Sequence, residues 1–388
     1  RGVRAAVADL FAAVGVDPTK TRDSARVLGL NRGLTWKLTR VVRETDAQSV
    51  VNDVPGRQSI SKFLTACREL GAPEEALDAA QSAYDEFEKA VDSCSGDRKT
   101  LAMVMANRGE RSPAIDRERA RRKLFEGACA VWGVQAQVRF VTVFLFPSPE
   151  DPTRLDAGHV TGYLGFRRLT TRPWPMSFEA VHDAGGHAQR IRKKPLDPIG
   201  VGEGELQLLK QFCSPEKPKI DVRRSGTYKV FELAPGPVGN RGLTTCVFGS
   251  HLEGIYPRYT PEPDTAGFMV LLQAPVERVI FDFFVHESLG ATEPATTHLL
   301  DRLAYPHDNR EDEFDHQSIP IVEKPEMLPR GIPGALTPYI PWYPKLLSFV
   351  CERTGQAMDA FHGSRFEMSY PPISTTLSRR IDLSAPPA

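Results

Sequence analysis

The sequence has no net charge, no long apolar run and no paired cysteines. Its 49 Lys and Arg balance 49 Asp and Glu over 388 residues. That balance excludes a uniformly basic histone-like protein and a highly charged disordered chain, so any nucleic-acid surface must be local. No stretch of about 18 apolar residues exists, which excludes a hydrophobic helix crossing a bilayer. Arg4 and Asp9 interrupt the early apolar run, which speaks against a signal peptide. Cys67, Cys94, Cys129, Cys213, Cys246 and Cys351 are scattered, and none forms a C-x-x-C pair. They read as free, buried thiols of a cytoplasmic protein, not as a zinc site or disulfide framework.

Proline and glycine are plentiful, at 32 and 30 residues. Many turns are therefore expected, with short strands favoured over long helices. The fold class expected is α+β, in three parts. Residues 1–112 form a helical domain, 113–133 a connecting helix, and 134–388 a mainly antiparallel β-rich domain with a few peripheral helices.

In the first part apolar residues recur at helical spacing, as in Val7, Leu10, Phe11 and Val14. A short helix is expected from Thr21 to Leu28, then a break at Gly29. A third helix, capped by Asn31, runs from Arg32 to Arg43. Ser59 is expected to cap the helix bearing Ile60, Phe63 and Cys67. In the second part the strand candidates are 134–146, 159–166, 227–233, 244–248, 267–273 and 278–286, with helices at 295–303 and 344–353. Gln273 to Val276 reads as a hairpin-like connection. Alternation puts Val279, Phe281, Phe283 and Val285 on one sheet face, and Ile280, Asp282, Phe284 and His286 on the other. The aromatic group Tyr339, Trp342 and Tyr343 reads as core, with a ligand pocket as the alternative.

The strongest functional signal is TKTRDSARVLGLNRGLTWKLTRVVR, residues 19–43. From Lys20 to Arg43 it carries seven cations and one anion, Asp23. Residues 69–97 reverse the sign, with nine acids facing Lys89 alone. A basic patch beside an acidic helix suits a chain with one DNA-facing side. The small Ala25 four residues before Gly29, and the apolar Leu30 after it, let two short helices pack around a tight turn. This segment resembles the helix-turn-helix of bacterial transcription regulators. The resemblance implies that the second helix enters the major groove of double-stranded DNA. Leu34, Leu38 and Val41 are expected to point inward. Arg32, Thr35, Trp36, Lys37, Thr39, Arg40 and Arg43 are the expected DNA-contacting residues. The segment departs from those regulators at Thr35, six after the turn glycine, where they carry a buried aliphatic residue.

Catalytic signals are weak. His182, Asp183 and His187 flank Gly185-Gly186, but their spacing is not that of two ligands on one helix face, and no H-E-x-x-H occurs. The acidic run 307–316 lacks the glycine of a calcium loop. GVGEGE at 200–205 does not follow a strand, so a phosphate cradle is not expected. Ser250 precedes His251, but the surrounding FGSHLEG is not G-x-S-x-G. No catalytic residue, metal site or cofactor is therefore expected. The reading is a DNA-binding transcription regulator whose β-rich part serves oligomerisation or effector sensing, so a homo-oligomer is expected. Two alternatives stand beside it. One is a structural protein whose β-rich domain forms an oligomeric scaffold while the helical domain docks partners. The other is an enzyme that uses the β-rich half.

Overall fold

The computed structural model describes residues 2–44, 50–51, 53–108, 114–180, 192–197, 207–215, 219–225, 228–261, 264–290, 293–301 and 318–383. His182, Asp183, His187 and the segments 200–205 and 307–316 lie outside them. The architecture is α+β. Contacts cluster into two units, Arg1–Pro113 and Ala114–Ala388. Among the described residues no helix is long and apolar enough to cross a membrane.

The first unit is helical: α1 (Gly2–Ala13), α2 (Thr21–Val27), α3 (Arg32–Arg43), α4 (Arg57–Glu69), α5 (Glu74–Cys94) and α6 (Arg98–Arg108). Each principal helix buries one apolar stripe. Leu10 and Phe11 of α1, Leu38 and Val41 of α3, Phe63 and Cys67 of α4, and Leu77 and Tyr84 of α5 meet in one core. Phe11 and Phe63 pack with ring centroids 5.7 Å apart. Gly56, not Ser59, sits at the cap of α4. The start of α6 is tied down by Arg98, which donates to Pro55 O at 3.2 Å and to the Tyr84 hydroxyl at 2.8 Å, and pairs with Glu88.

The second unit opens with α7 (Ala114–Trp132), followed by thirteen described strands. They are β1 (Val134–Pro147), β2 (Arg154–Arg168), β3 (Trp174–Ala180), β4 (Arg192–Pro195), β5 (Ile220–Ser225), β6 (Tyr228–Leu233), β7 (Thr244–Pro257), β8 (Thr265–Leu272), β9 (Val276–His286), β10 (Thr296–Asp301), β11 (Glu326–Met327), β12 (Phe361–Ser369) and β13 (Thr375–Asp382). A helical turn, α8 (Gly331–Gly334), and the helix α9 (Tyr343–Thr354) precede β12. The large sheet runs β11-β12-β9-β1-β2-β7-β4, beside two three-stranded sheets, β10-β13-β8 and β3-β6-β5. All its pairs are antiparallel except β1 with β9, which is parallel.

Period two in β1 explains the layering. Phe140, Phe144 and Phe146 face the side covered by Leu346, Leu347 and Val350 of α9. Val141, Val143 and Leu145 face the other side, against Val270, Leu299 and Leu377 of the sheet β10-β13-β8. The alternation expected of β9 holds: Ile280 and Phe284 join the first core, and Val279, Phe281, Phe283 and Val285 the second.

Three sequence expectations are corrected here. Residues 296–301 form a strand instead of a helix, because Thr296 to Asp301 pair with β13 and bury Leu299 and Leu300. β-branched neighbours suit that pleated surface. The segment 273–276 is not a hairpin. It carries the chain between two sheets, since β8 pairs with β13 while β9 pairs with β1 and β12. All six cysteines are free, but Cys94 is exposed and Cys213 only half-buried.

Two buried carboxylates are held among the polar groups of the large sheet. Asp282 is fully buried and accepts from Arg365 Nε (2.8 Å), Arg365 Nη2 (2.6 Å) and the Tyr343 hydroxyl (2.6 Å). Burial and the adjacent carboxylate hold the Tyr343 hydroxyl far above its usual pKa. Burial works against the Arg365 charge, but the bond and the attraction from Asp282 outweigh it and raise its pKa. The second group is Asp156, which accepts from Gly254 N at 2.8 Å and lies 3.2 Å from His251 Nε2. Burial opposes its charge, yet these bonds hold the carboxyl below its ordinary range. A depressed carboxyl stabilises the fold above its unfolded pKa of about 4, and that contribution disappears as pH falls through the lower folded value. Asp156→Asn is therefore expected to flatten the acid limb of a stability–pH curve below about pH 4. An unchanged acid limb in urea melts would show that the carboxylate contributes nothing there.

Candidate nucleic-acid interface

The candidate surface is formed by the two short helices and the turn between them. α2 is anchored by Ser24, whose hydroxyl donates to Asp17 O at 2.8 Å and Lys20 O at 2.9 Å. Ala25 and Leu28 are buried. The chain then reverses at Gly29, whose φ of 62° is left-handed, a conformation that favours glycine. Asn31 caps α3 as expected: its side chain accepts from Leu34 N at 2.8 Å. Arg4 Nε of α1 donates to Val42 O at 3.0 Å, which ties the far end of α3 to the first helix.

α3 has two sharply different faces. Leu34, Leu38 and Val41 are buried as expected. Thr35 and Thr39 are buried too, at 0% and 2% exposure, which corrects their placement among DNA-contacting residues. The reason is the breadth of the packed face. With α2 alongside, the buried arc of α3 is wider than the narrow stripe that its three aliphatic residues suggest. Each threonine satisfies its hydroxyl inside that arc. Thr35 Oγ1 donates to Asn31 O at 3.1 Å, Thr39 Oγ1 donates to Trp36 O at 2.9 Å, and Thr39 Oγ1 also lies 3.4 Å from Thr21 Oγ1 on α2. The position six after Gly29 is therefore buried, with threonine in place of an aliphatic residue.

The opposite face holds the other five candidates. Arg32, Trp36, Lys37 and Arg43 are exposed, and Arg40 is half-buried. At 3.6 residues per turn, Arg32, Trp36, Arg40 and Arg43 fall within roughly a quarter of the helix circumference, with Lys37 beside them. Arg32, Lys37 and Arg43 make no ion pair among the described residues. Arg40 is fixed differently. Its Nη2 lies 3.2 Å from Asp53 Oδ2, and its guanidinium sits 5.0 Å from the Trp36 ring centroid. This stack leaves Trp36 46% exposed beside the arginines. A small cleft of about 240 Å³ opens between Thr21, Trp36, Thr39, Arg40, Arg43 and Glu44, with the buried Thr39 at its floor. Three cations without an ion-pair partner among the described residues, one braced arginine and a flat indole on one side of the helix are suited to phosphates and base edges. Asp53 was not foreseen as the brace of Arg40. Its nearest sequence signal, the Pro55-Gly56 turn, marks a chain reversal and names no partner.

The Ser250–His251 pair in β7 does not form a nucleophile–base couple. Ser250 Oγ bonds to Gln207, whereas His251 pairs with Asp156. Neighbouring strand residues point to opposite faces, so adjacency in sequence separates these two side chains in space. Among the described residues no group of three or more His, Cys, Asp or Glu is arranged to hold a metal ion. No family model, no curated protein and no solved structure matches this chain.

Proposed function

We propose that this protein binds double-stranded DNA through α3 and acts as a transcription regulator, with the second unit serving oligomerisation or effector sensing. The observation that carries the reading is the division of α3 into one packed face and one exposed cationic face. Three of its cations have no carboxylate partner among the described residues. In a protein of zero net charge, such a concentration is a local attraction for phosphate. The buried Ala25, the left-handed Gly29 and the capped start of α3 also suit a helix pair of the helix-turn-helix kind. One short helix reads too few base pairs for useful specificity, so sequence-specific reading calls for a second copy.

The test is a titration of the full chain into a fluorescent mixed-sequence duplex, at low and then moderate salt. Binding that weakens as salt rises is expected. Each phosphate neutralised contributes about 0.9 to the slope of log affinity against log salt. Absence of binding at low salt would overturn the reading, because non-specific affinity already appears there.

A further inference from the structure

The second unit contains a cleft of about 340 Å³ whose lining includes Phe212, Cys213, Ser214, Thr245, Trp342 and Lys345. Its volume is within the range of small-molecule sites. It is assembled from three separate stretches: the turn at 210–214, the start of β7, and the first turn of α9.

One wall is aromatic and held in place. Phe212 and Trp342 pack with centroids 5.3 Å apart. Trp342 also meets Phe140 edge-on at 5.9 Å, and Phe212 meets Phe349 at 5.6 Å. Phe140 is fully buried, so the indole rests on the core of the unit while its outer side borders the cleft.

Two of the polar groups in the lining have backbone partners. Ser214 Oγ accepts from Thr245 N at 2.7 Å, so its own hydroxyl proton is left to donate elsewhere. Cys213 Sγ receives Val247 N at 3.4 Å, and burial raises the pKa of its thiol, so it adds no negative charge. Among the described lining residues Lys345 is the only charged one; it is exposed and makes no ion pair among them. The first-turn N–H groups of α9 are occupied: Tyr343 N donates to Ile340 O, and Lys345 N and Leu346 N donate to Trp342 O. Among the described residues, positive charge at this cleft therefore comes from the Lys345 side chain.

We propose that this cleft binds a small planar aromatic carboxylate, its ring against Phe212 and Trp342 and its carboxylate held by Lys345 and the Ser214 hydroxyl. An aromatic wall favours a flat ring, and one cation without an ion-pair partner among the described residues, beside a hydroxyl donor, favours a single carboxylate. The site stands apart from DNA binding by α3 and is tested without DNA.

The experiment is calorimetric titration of the full chain with 2-naphthoate, 2-naphthalenemethanol and cyclohexanecarboxylate. Saturable binding of 2-naphthoate is expected, with the neutral alcohol and the non-planar acid each at least about tenfold weaker. Lys345→Ala should weaken 2-naphthoate by about tenfold with no change in melting temperature, because the side chain is exposed. Lys345→Arg should restore most of the loss. Trp342→Phe should keep the calorimetric binding while removing the ligand-induced change in tryptophan fluorescence. Failure of 2-naphthoate to saturate at millimolar concentration, equal affinity of Lys345→Ala, or equal binding of the three probes would each overturn the proposal.

Discussion

Asp282→Ala is expected to destabilise the second unit by about 3–5 kcal/mol, the usual cost of removing one member of a buried ion pair. Asp282 is fully buried, and the side chain of its partner Arg365 is only 13% exposed. Removing the carboxylate leaves a guanidinium in the interior without its counter-charge. It also takes one hydrogen-bond partner from the Tyr343 hydroxyl, which retains Thr142 Oγ1 at 2.8 Å. Arg365 additionally donates to Ala335 O at 2.8 Å and Leu336 O at 3.0 Å, so the loss reaches the segment ahead of α9. A folded domain is stable by only about 5–15 kcal/mol, so this is a large fraction of the total. The double variant Asp282→Ala/Arg365→Met should recover much of the loss, because the unpaired charge leaves with its partner. Urea melts in a Trp36→Phe background read this directly. Trp132, Trp174 and Trp342, the remaining tryptophans, all belong to the second unit. A cost below about 1 kcal/mol, or a double variant no better than the single, would refute the assignment.

The second large effect concerns DNA. Arg32→Ala/Lys37→Ala/Arg43→Ala removes the three cations of α3 that have no ion-pair partner among the described residues. If each meets one phosphate, the salt slope falls by about 2.7. Over a fourfold rise in salt, the unmodified protein then loses roughly fortyfold more affinity than the variant does. These side chains are exposed, so the fold should change by no more than about 0.5 kcal/mol, and weaker binding would not reflect unfolding. Thr35→Val and Thr39→Val offer a contrast. Both residues are buried on the packed face, so they should alter stability and leave the salt slope unchanged. An undiminished slope in the triple variant would place the DNA surface elsewhere on the protein.

Much of the first unit was legible in the sequence, because a helix's burial pattern is written into its own residues. Leu34, Leu38 and Val41 announced the packed side of α3, Asn31 its cap, and Gly29 its preceding turn. Thr35 and Thr39 were misplaced because threonine is compatible with either face. Only the neighbouring helix determines how wide the buried arc becomes. Strand alternation was similarly readable in β9, where both faces are apolar and both are covered. The aromatic group at 339–343 reads in the sequence as core in preference to a ligand pocket. Tyr343 is indeed buried, but Trp342 borders an open cleft and Tyr339 is exposed.

By itself, then, the sequence determined the local periodicities: which stretches coil or extend, which sides of them avoid water, and where the cations of α3 lie along the helix. Tertiary structure alone decided what each side packs against. It made β1 and β9 parallel neighbours although 128 residues separate Pro147 from Val276. It sent the chain at 273–276 from one sheet to another, and turned 296–301 into a strand by supplying β13 as partner. It also brought Phe212, Thr245 and Lys345 to one cleft, and gave Arg40 and Arg365 their carboxylates. The physical reason is that periodicity records that a face is buried, whereas pairing and charge compensation depend on groups distant in sequence, brought together only when the chain closes its loops.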